Sequence, residues 1–150
     1  MKAFKIATWN VNSLRVRLPQ VITWLAQAQP DILALQELKM PTEEFPFDEL
    51  RAAGYEAIVS GQKTYNGVAI LYRNITPENV VMEFAELQDP QRRVLAATFN
   101  QVRVLNLYIP NGGSLTSAKY QYKLNWLGHL KLFLANEMQQ YPNMIILGDF

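Results

Sequence analysis

The segment Asp31–Glu37, with the sequence DILALQE, constrains the fold of this chain more than any other stretch. Ile32 to Leu35 form a short unbroken apolar run after Pro30, and such a run predicts a buried strand. Glu37 follows at the carboxyl end of that strand, the edge at which ligands bind in open α/β sheets. A carboxylate buried there needs a neutralising partner such as a metal ion, whereas an exposed Glu would simply end the strand.

The same pattern occurs three more times along the chain. The apolar runs Ile6–Trp9, Val104–Leu107 and Met144–Gly148 lead into Asn10, Tyr108 and Asp149. Four strands that each end in a polar group predict a metal or phosphate site at strand ends. Glu37 and Asp149 would hold the cation, and hard oxygen ligands favour magnesium or manganese. From the residues alone, Tyr108 fits a phosphate contact less well than a half-buried structural aromatic.

Composition excludes several other classes of site. The 150 residues, 49% hydrophobic and 18% charged, predict one globular domain. The absence of Cys excludes disulfides and thiolate chemistry, and the single His129 excludes a multi-histidine zinc site within this chain. A net charge of +1 gives no global attraction to nucleic acid, so any such contact must be local. We find neither a membrane-spanning run nor a signal peptide, and expect a cytoplasmic monomer that does not bind membranes.

Hydrophobic periodicity predicts strands that alternate with helices. The predicted strands are Phe4–Trp9, Ile32–Leu35, Tyr55–Ser60, Gly67–Tyr72, Arg93–Phe99, Val102–Tyr108 and Met144–Leu147, and the predicted helices are Val16–Gln29, Asp48–Ala53 and Ser117–Gln140. The longest helix should bury the face formed by Tyr120, Leu124, Leu127, Leu130, Leu134 and Met138. Asn100 and Gln101 form a plausible two-residue hairpin turn.

Five motifs occur in a characteristic order. They are Trp9–Arg15, Leu35–Lys39, Gly61–Ile70, Asn106–Gly112 and Leu147–Phe150. Together they closely resemble the exonuclease III family of apurinic/apyrimidinic endonucleases, within the endonuclease/exonuclease/phosphatase superfamily. The resemblance covers the whole chain. It implies a four-layer α/β sandwich of two facing mixed sheets with outer helices, of which residues 1–150 would be the N-terminal part, truncated after Phe150.

The resemblance also implies roles for individual residues. Glu37 matches the principal metal ligand, and Asn10 matches the Asn that lies near the metal and orients the catalytic Asp. Asp149 matches that Asp, which contacts the metal and positions or deprotonates the attacking water. Tyr108 matches the Tyr that contacts the scissile phosphate. The expected DNA contacts are Arg93, Asn111 and Lys119. Asn12 stands where some relatives have Asp, so a second metal ligand is not expected there.

The function implied by this resemblance is magnesium- or manganese-dependent hydrolysis of double-stranded DNA, 5′ to abasic sites and at 3′ ends. The chain by itself would be inactive, because the family's later catalytic residues cannot lie within it. Two alternatives remain open. One is a phosphatase or phosphodiesterase of the same superfamily that acts on inositol phosphates or lipid head groups. The other is a non-catalytic half-domain that needs a partner chain.

Overall fold

The computed structural model describes residues 3–150, so Met1 and Lys2, which belong to the N-terminal segment inspected for a signal peptide, lie outside it. The strands in this part of the chain are β1 (Ile6–Asn10), β2 (Ile32–Gln36), β3 (Glu56–Ser60), β4 (Val68–Tyr72), β5 (Glu78–Val81), β6 (Val94–Phe99), β7 (Val102–Tyr108) and β8 (Met144–Asp149). The α-helices are α1 (Leu14–Ala28), α2 (Phe47–Ala52) and α3 (Ala118–Gln140), and a short 3₁₀ turn covers Thr42–Glu44.

The strands form two mixed four-stranded sheets. The first has the order β1-β2-β4-β3, and the second has the order β5-β6-β7-β8. Each sheet contains one parallel pair, β1 with β2 and β7 with β8, and the other neighbours are antiparallel. Parallel neighbours need a long crossover, and α1 and α3 provide it in the two sheets. The carboxyl ends of the parallel strands therefore lie together at one edge of each sheet.

The two sheets face each other and the helices lie outside them. The residues buried between the sheets are Ile32, Val68, Ile70, Leu95, Ala97, Phe99 and Val104. Outside the first sheet, Leu14, Val21 and Leu25 of α1 pack on Leu33 and Leu35. Outside the second sheet, Trp126 and Leu130 of α3 pack on Val94 and Leu107. The predicted four-layer α/β sandwich is confirmed.

The structure corrects two details of the sequence prediction. Strand β5 was not predicted, since its exposed sequence ENVV carries no alternating pattern. The expected buried face of α3 is also partly wrong. Leu124 and Met138 are 46% and 66% exposed, whereas Trp126 and Glu137 are buried. Apolar side chains surround this helix, and the bulk of Trp126, packed against the sheet, decides which face is buried.

The hairpin between β6 and β7 matches its prediction. Asn100 and Gln101 both have positive φ, at 48° and 68°, as a two-residue turn of the mirror-image type requires. Within residues 3–150, no helix combines the length and apolar character needed to cross a bilayer.

Candidate active site

Alternation along the strands directs the candidate side chains into the space between the sheets. Ile6 on β1 and Ile32 on β2 pack in the cluster between the sheets. Side chains an even number of residues apart lie on the same face of a strand, so Asn10 and Gln36 also face the second sheet. On that second sheet, Tyr108 packs on the same inter-sheet cluster and pairs in register with Asp149. The four strand ends therefore meet at one edge of the sandwich.

The Asn10 amide joins the two sheets at this edge. Its Nδ2 donates to Glu37 Oε2 at 2.5 Å and to Asp149 Oδ2 at 2.7 Å. Its Oδ1 accepts the backbone N–H of Asn12 at 3.0 Å, which fixes the direction in which the amide points. One neutral donor thus holds two carboxylates that belong to different sheets and lie far apart in sequence.

Glu37 occupies an unusual backbone conformation just after β2. Its φ is 57°, in the left-handed region, which costs a non-glycine residue about 1–2 kcal/mol. Ser13 N–H donates to the Glu37 carbonyl at 2.8 Å, and Leu38 N–H donates to the Gly67 carbonyl at 3.1 Å. These contacts hold the chain as it leaves the sheet, so that the Glu37 carboxylate reaches Asn10. Such strained residues are concentrated at functional sites.

Gly148 sets the path of the backbone into Asp149. Its φ is +135°, and a Cβ at this position would lie 1.9 Å from the Leu107 carbonyl oxygen on the neighbouring strand. Only glycine fits at this distance. Beyond it, Ile109 N–H donates to the Asp149 carbonyl at 3.0 Å and anchors the end of β8. Asp149 is therefore held by the ladder on one side and by Asn10 on the other.

Tyr108 lies in the electrostatic field of the two carboxylates. Burial and then the charge of Glu37 raise the pKa of its hydroxyl above the ordinary 10.0, Arg93 opposes them, and Asp149 adds a smaller increase. The Arg93 guanidinium lies 4.7 Å from the centre of the Tyr108 ring, and its Nη1 donates to the Tyr108 carbonyl at 3.1 Å. The guanidinium of Arg93 thus packs directly on Tyr108.

The three predicted DNA contacts occupy different environments. Asn111 and Lys119 are exposed, and the Asn111 side chain accepts the N–H of Gly113 at 3.0 Å. Arg93 is only half-exposed, because it lies on Tyr108 and also donates to Gln91. Arg93 directly precedes β6, Asn111 follows β7, and Lys119 lies in the first turn of α3. Their contact with DNA stays a prediction, as do the catalytic and metal roles of Asn10, Glu37, Tyr108 and Asp149.

The sequence reasoning assigned no role to three further residues near this edge. Lys39 Nζ donates to Asn12 Oδ1 at 2.6 Å and lies 3.8 Å from Glu37 Oε1. Gln36 and Asn106, directly beneath the carboxylates, form hydrogen bonds between the sheets. The position of Asn106 inside a predicted buried strand was the one available signal, since a buried amide needs partners.

The donor set at this edge fits a magnesium ion. It comprises two carboxylates, whose oxygen atoms are the hard ligands that magnesium prefers, and the Asn10 amide, which holds both of them through its Nδ2 while its Oδ1 faces the Asn12 N–H. Within residues 3–150, no group of three or more His, Cys, Asp or Glu side chains is arranged to hold a metal. Magnesium needs no such cage, because it retains water and uses one or two carboxylates together with substrate phosphate. A cation here would also offset the repulsion between Glu37 and Asp149, which only the Asn10 amide now separates.

Comparisons with known proteins agree with this architecture. The sequence model of the Endonuclease/Exonuclease/phosphatase family matches residues 7–150. Exodeoxyribonuclease III of Haemophilus influenzae is 31% identical over 97% of this chain and 56% of its own length. DNA repair nuclease APEX1 of Danio rerio is 29% identical over 97% of this chain and 48% of its own length.

Solved structures give the same result. A 3′ phosphatase from Neisseria named NExo, bound to a product DNA hairpin, is 50% identical and superposes with a TM-score of 0.96, covering 99% of this chain and 58% of its own. An AP endonuclease from Archaeoglobus fulgidus is 38% identical with a TM-score of 0.88, covering 98% of this chain and 57% of its own. This chain spans about half the length of the relatives it matches.

Proposed function

Because this chain belongs to the endonuclease/exonuclease/phosphatase family, we propose that the protein containing it is a magnesium-dependent DNA repair nuclease. Its reactions would be incision of double-stranded DNA 5′ to abasic sites and trimming of 3′ ends. The observation that carries this proposal is the Asn10 amide, which holds Glu37 and Asp149 from two different sheets in one place. Manganese would serve in place of magnesium, since both prefer oxygen ligands.

Glu37 and Asp149 would hold the metal ion, and Asn10 would lie beside it and hold the two carboxylates through its Nδ2. When bound, the ion supplies Lewis-acid stabilisation of charge that develops on the phosphate and the leaving 3′ oxygen. Asp149 would orient the attacking water and accept its proton, through the carboxylate oxygen that Asn10 does not bind. The water oxygen bonds to phosphorus, the bond from phosphorus to the 3′ oxygen breaks, and the leaving oxygen takes a proton from solvent. General-base catalysis of this kind contributes about 10²–10⁴-fold.

Tyr108 would donate a hydrogen bond to a non-bridging phosphate oxygen. A tyrosine hydroxyl has an ordinary pKa of about 10 and is protonated at neutral pH, so it remains a donor where a phenolate would repel the substrate. Arg93, Asn111 and Lys119 would contact the DNA backbone beside this position. Because the net charge of the chain is only +1, such local cations would account for the electrostatic part of binding.

We propose that residues 1–150 are the N-terminal part of a single domain and are inactive alone. The supporting observation is the apolar surface along the last strand. Strand β8 lies at the edge of its sheet, and its residues Ile145 and Ile146 are 37% and 42% exposed. A further part of the same domain would cover this surface, as the greater length of the relatives suggests.

Removal of a 3′ phosphate is a second candidate activity. The relative described as a 3′ phosphatase is 50% identical, whereas the AP endonuclease is 38% identical. The chemistry is the same attack of water on phosphorus, with a 3′ hydroxyl as the leaving group. The two activities would use the same carboxylates, Glu37 and Asp149, and would differ in how the DNA around the phosphate fits the site.

The test uses the complete protein and four substrates. These are a duplex with an abasic site, a duplex with a 3′ phosphate, a duplex with a recessed 3′ end, and a soluble inositol phosphate. We expect magnesium-dependent cleavage of the DNA substrates, its loss in EDTA, and its loss in Glu37→Gln. Hydrolysis of the inositol phosphate alone would support the other superfamily activity, and no hydrolysis of any substrate would support the non-catalytic half-domain. Residues 1–150 tested alone should show no activity.

A further inference from the structure

We propose that the buried amides of Asn106 and Gln36 are positioning residues that fix the register of the two sheets. They thereby hold Asp149 within reach of Asn10 and Glu37. This inference rests on the proposed site, because it assigns the amides a role only in assembling that site. Neither residue belongs to the set expected to touch metal or substrate.

Asn106 lies on β7 and crosses to the opposite sheet. Its Nδ2 donates to the carbonyls of Leu35 at 3.0 Å and Ala69 at 2.9 Å, on β2 and β4. Those two residues are paired across the β2–β4 ladder, so the Asn106 side chain donates to both strands of the other sheet at one paired position. Its Oδ1 accepts from Gln36 Nε2 at 2.8 Å. The Asn106 amide therefore has partners for both donors and for its acceptor.

Gln36 extends this network toward β1. The same Nε2 also lies 2.9 Å from Thr8 Oγ1 on the neighbouring strand. Gln36 is 1% exposed and Asn106 is fully buried. Polar groups buried in this way destabilise a fold unless their partners are in place, so the network tolerates one relative placement of the sheets.

The apolar side chains around the network do not fix the relative position of the two sheets in the same way. Ile32, Val68, Ile70 and Val104 are apolar, and apolar burial is nearly indifferent to small sliding of one sheet over the other. Hydrogen bonds depend strongly on distance and angle. The amide network therefore adds a directional constraint within this apolar interface, beside the Asn10 bridge and the hydrogen bond from the Gly67 N–H to the Arg92 carbonyl.

The network lies directly beneath the carboxylates. Gln36 precedes Glu37 in the chain, and Asn106 is two residues before Tyr108 and faces the same way. Each sheet contributes one carboxylate to the Asn10 bridge. A shift between the sheets would separate Glu37 from Asp149 before it disturbed either sheet internally. A displacement of about 1 Å at a catalytic site costs about 10²-fold in rate.

The test compares Asn106→Leu with Val104→Ala in the complete protein. Val104 is fully buried in the same interface, but it makes no polar contact across it. We expect Asn106→Leu to lower kcat on duplex DNA by about 100-fold with KM changed less than about threefold. Val104→Ala should leave kcat nearly unchanged at a temperature where both variants are folded. Gln36→Leu removes one of the three hydrogen bonds of the network that cross between the sheets and should lower kcat by about tenfold. It serves as the test if Asn106→Leu does not fold.

A spectroscopic readout separates positioning from general loss of stability. In metal-free, ¹⁵N-labelled protein, the Asn10 side-chain amide reports directly on the bridge to Glu37 and Asp149. We expect its resonances to move in Asn106→Leu or Gln36→Leu and to stay in place in Val104→Ala. An unmoved Asn10 amide, an unchanged kcat, or equal effects of Val104→Ala would overturn the proposal. If the wild-type protein hydrolyses no DNA, the proposed function fails, whereas the amide resonances still decide the positioning role.

Discussion

At the residue scale, Asn10 places a neutral amide between two carboxylates from different sheets. It donates to Glu37 and to Asp149, and the Asn12 N–H holds its oxygen away from them. A hydrogen bond to a charged acceptor contributes about 1.5–3 kcal/mol, so this one side chain stabilises both halves of the site. An aspartate here would instead add a third negative charge.

The substitution Asn10→Asp tests this role. We expect the metal-free protein to lose about 2 kcal/mol or more of unfolding free energy, because two charge-assisted hydrogen bonds become like-charge contacts. Magnesium should restore more stability in Asn10→Asp than in the wild type, since ligand binding to the native state raises its stability. Urea unfolding with EDTA and with magnesium measures both effects. Asn125→Asp, on the exposed surface of α3, is the matched control.

The half-buried hydroxyl of Tyr122 makes the stability of the protein depend on alkaline pH. Burial, and after it the hydrogen bond to Asp89, raises the pKa of Tyr122 well above 10.0. A raised folded-state pKa means that the native protein binds this proton more tightly than the unfolded chain. Its contribution is therefore complete below pH 10.0 and is lost as the pH rises above that value.

Tyr122→Phe should change the pH dependence in a defined direction. At neutral pH we expect a loss of about 2 kcal/mol from the missing hydrogen bond to Asp89. Above about pH 10, its stability should fall less steeply than that of the wild type, by at most about 1.4 kcal/mol per pH unit for one proton. Denaturant unfolding from about pH 9 to about pH 12 provides the measurement. Equal slopes for the two proteins would contradict the assignment, and Tyr65→Phe, at a 66% exposed position, is the control.

At the scale of elements, the ends of four strands position the site. The apolar runs, each followed by a polar residue, were sufficient to predict that Asn10, Glu37, Tyr108 and Asp149 lie at strand ends. The parallel pairs β1–β2 and β7–β8 then place those strand ends at common edges. The amide network of Gln36 and Asn106 was not predictable, because it depends on which residues face each other across two separately formed sheets.

The same limit explains the error on α3. Periodicity located the helix correctly to within one residue at its start, where the Ser117 side chain accepts the N–H of Tyr120 as an N-cap. It did not select the buried face, since leucines surround the helix and the choice depends on packing against the sheet. Glu137, buried against Arg103, has no hydrophobic signal at all.

Gly148→Ala should displace the backbone at the end of β8 from its position beside β7. A Cβ there would lie 1.9 Å from the Leu107 carbonyl oxygen, so the backbone that carries Asp149 must move. We expect loss of about 10²-fold or more in kcat together with about 1–3 kcal/mol of stability. Gly128→Ala is the matched control, because α3 offers open space around its Cβ. It should stabilise the helix by about 0.5–1 kcal/mol and leave kcat unchanged, and a Gly148→Ala protein of normal activity would contradict this account.

At the scale of the whole molecule, two sheets that each contain a parallel pair contribute equally to one site. The first sheet supplies Asn10 and Glu37, and the second supplies Tyr108 and Asp149. The described residues also leave an apolar strip on β8 exposed. The proposed further part of the domain accounts for this exposed strip.

The proposal of a further part of the domain predicts that Ile145→Lys has different effects in two contexts. In the complete protein we expect about 3 kcal/mol or more of destabilisation, because a charge would replace a covered apolar side chain. In residues 1–150 alone, where Ile145 is 37% exposed, the loss should be within about 0.5–1 kcal/mol. Leu115→Lys, at a loop position that is 74% exposed, should be neutral in both and serves as the control. Equal effects of Ile145→Lys in the two proteins would refute the proposed cover.

Manganese binding shows whether the two sheets jointly hold a divalent cation, on which the proposed function depends. The measurement is the electron paramagnetic resonance signal of free Mn²⁺, titrated with the complete protein and with its Glu37→Gln and Asp149→Asn variants. We expect the wild-type protein to deplete the free signal and each variant to weaken binding by about tenfold or more. Equal depletion by the wild type and both variants would contradict it.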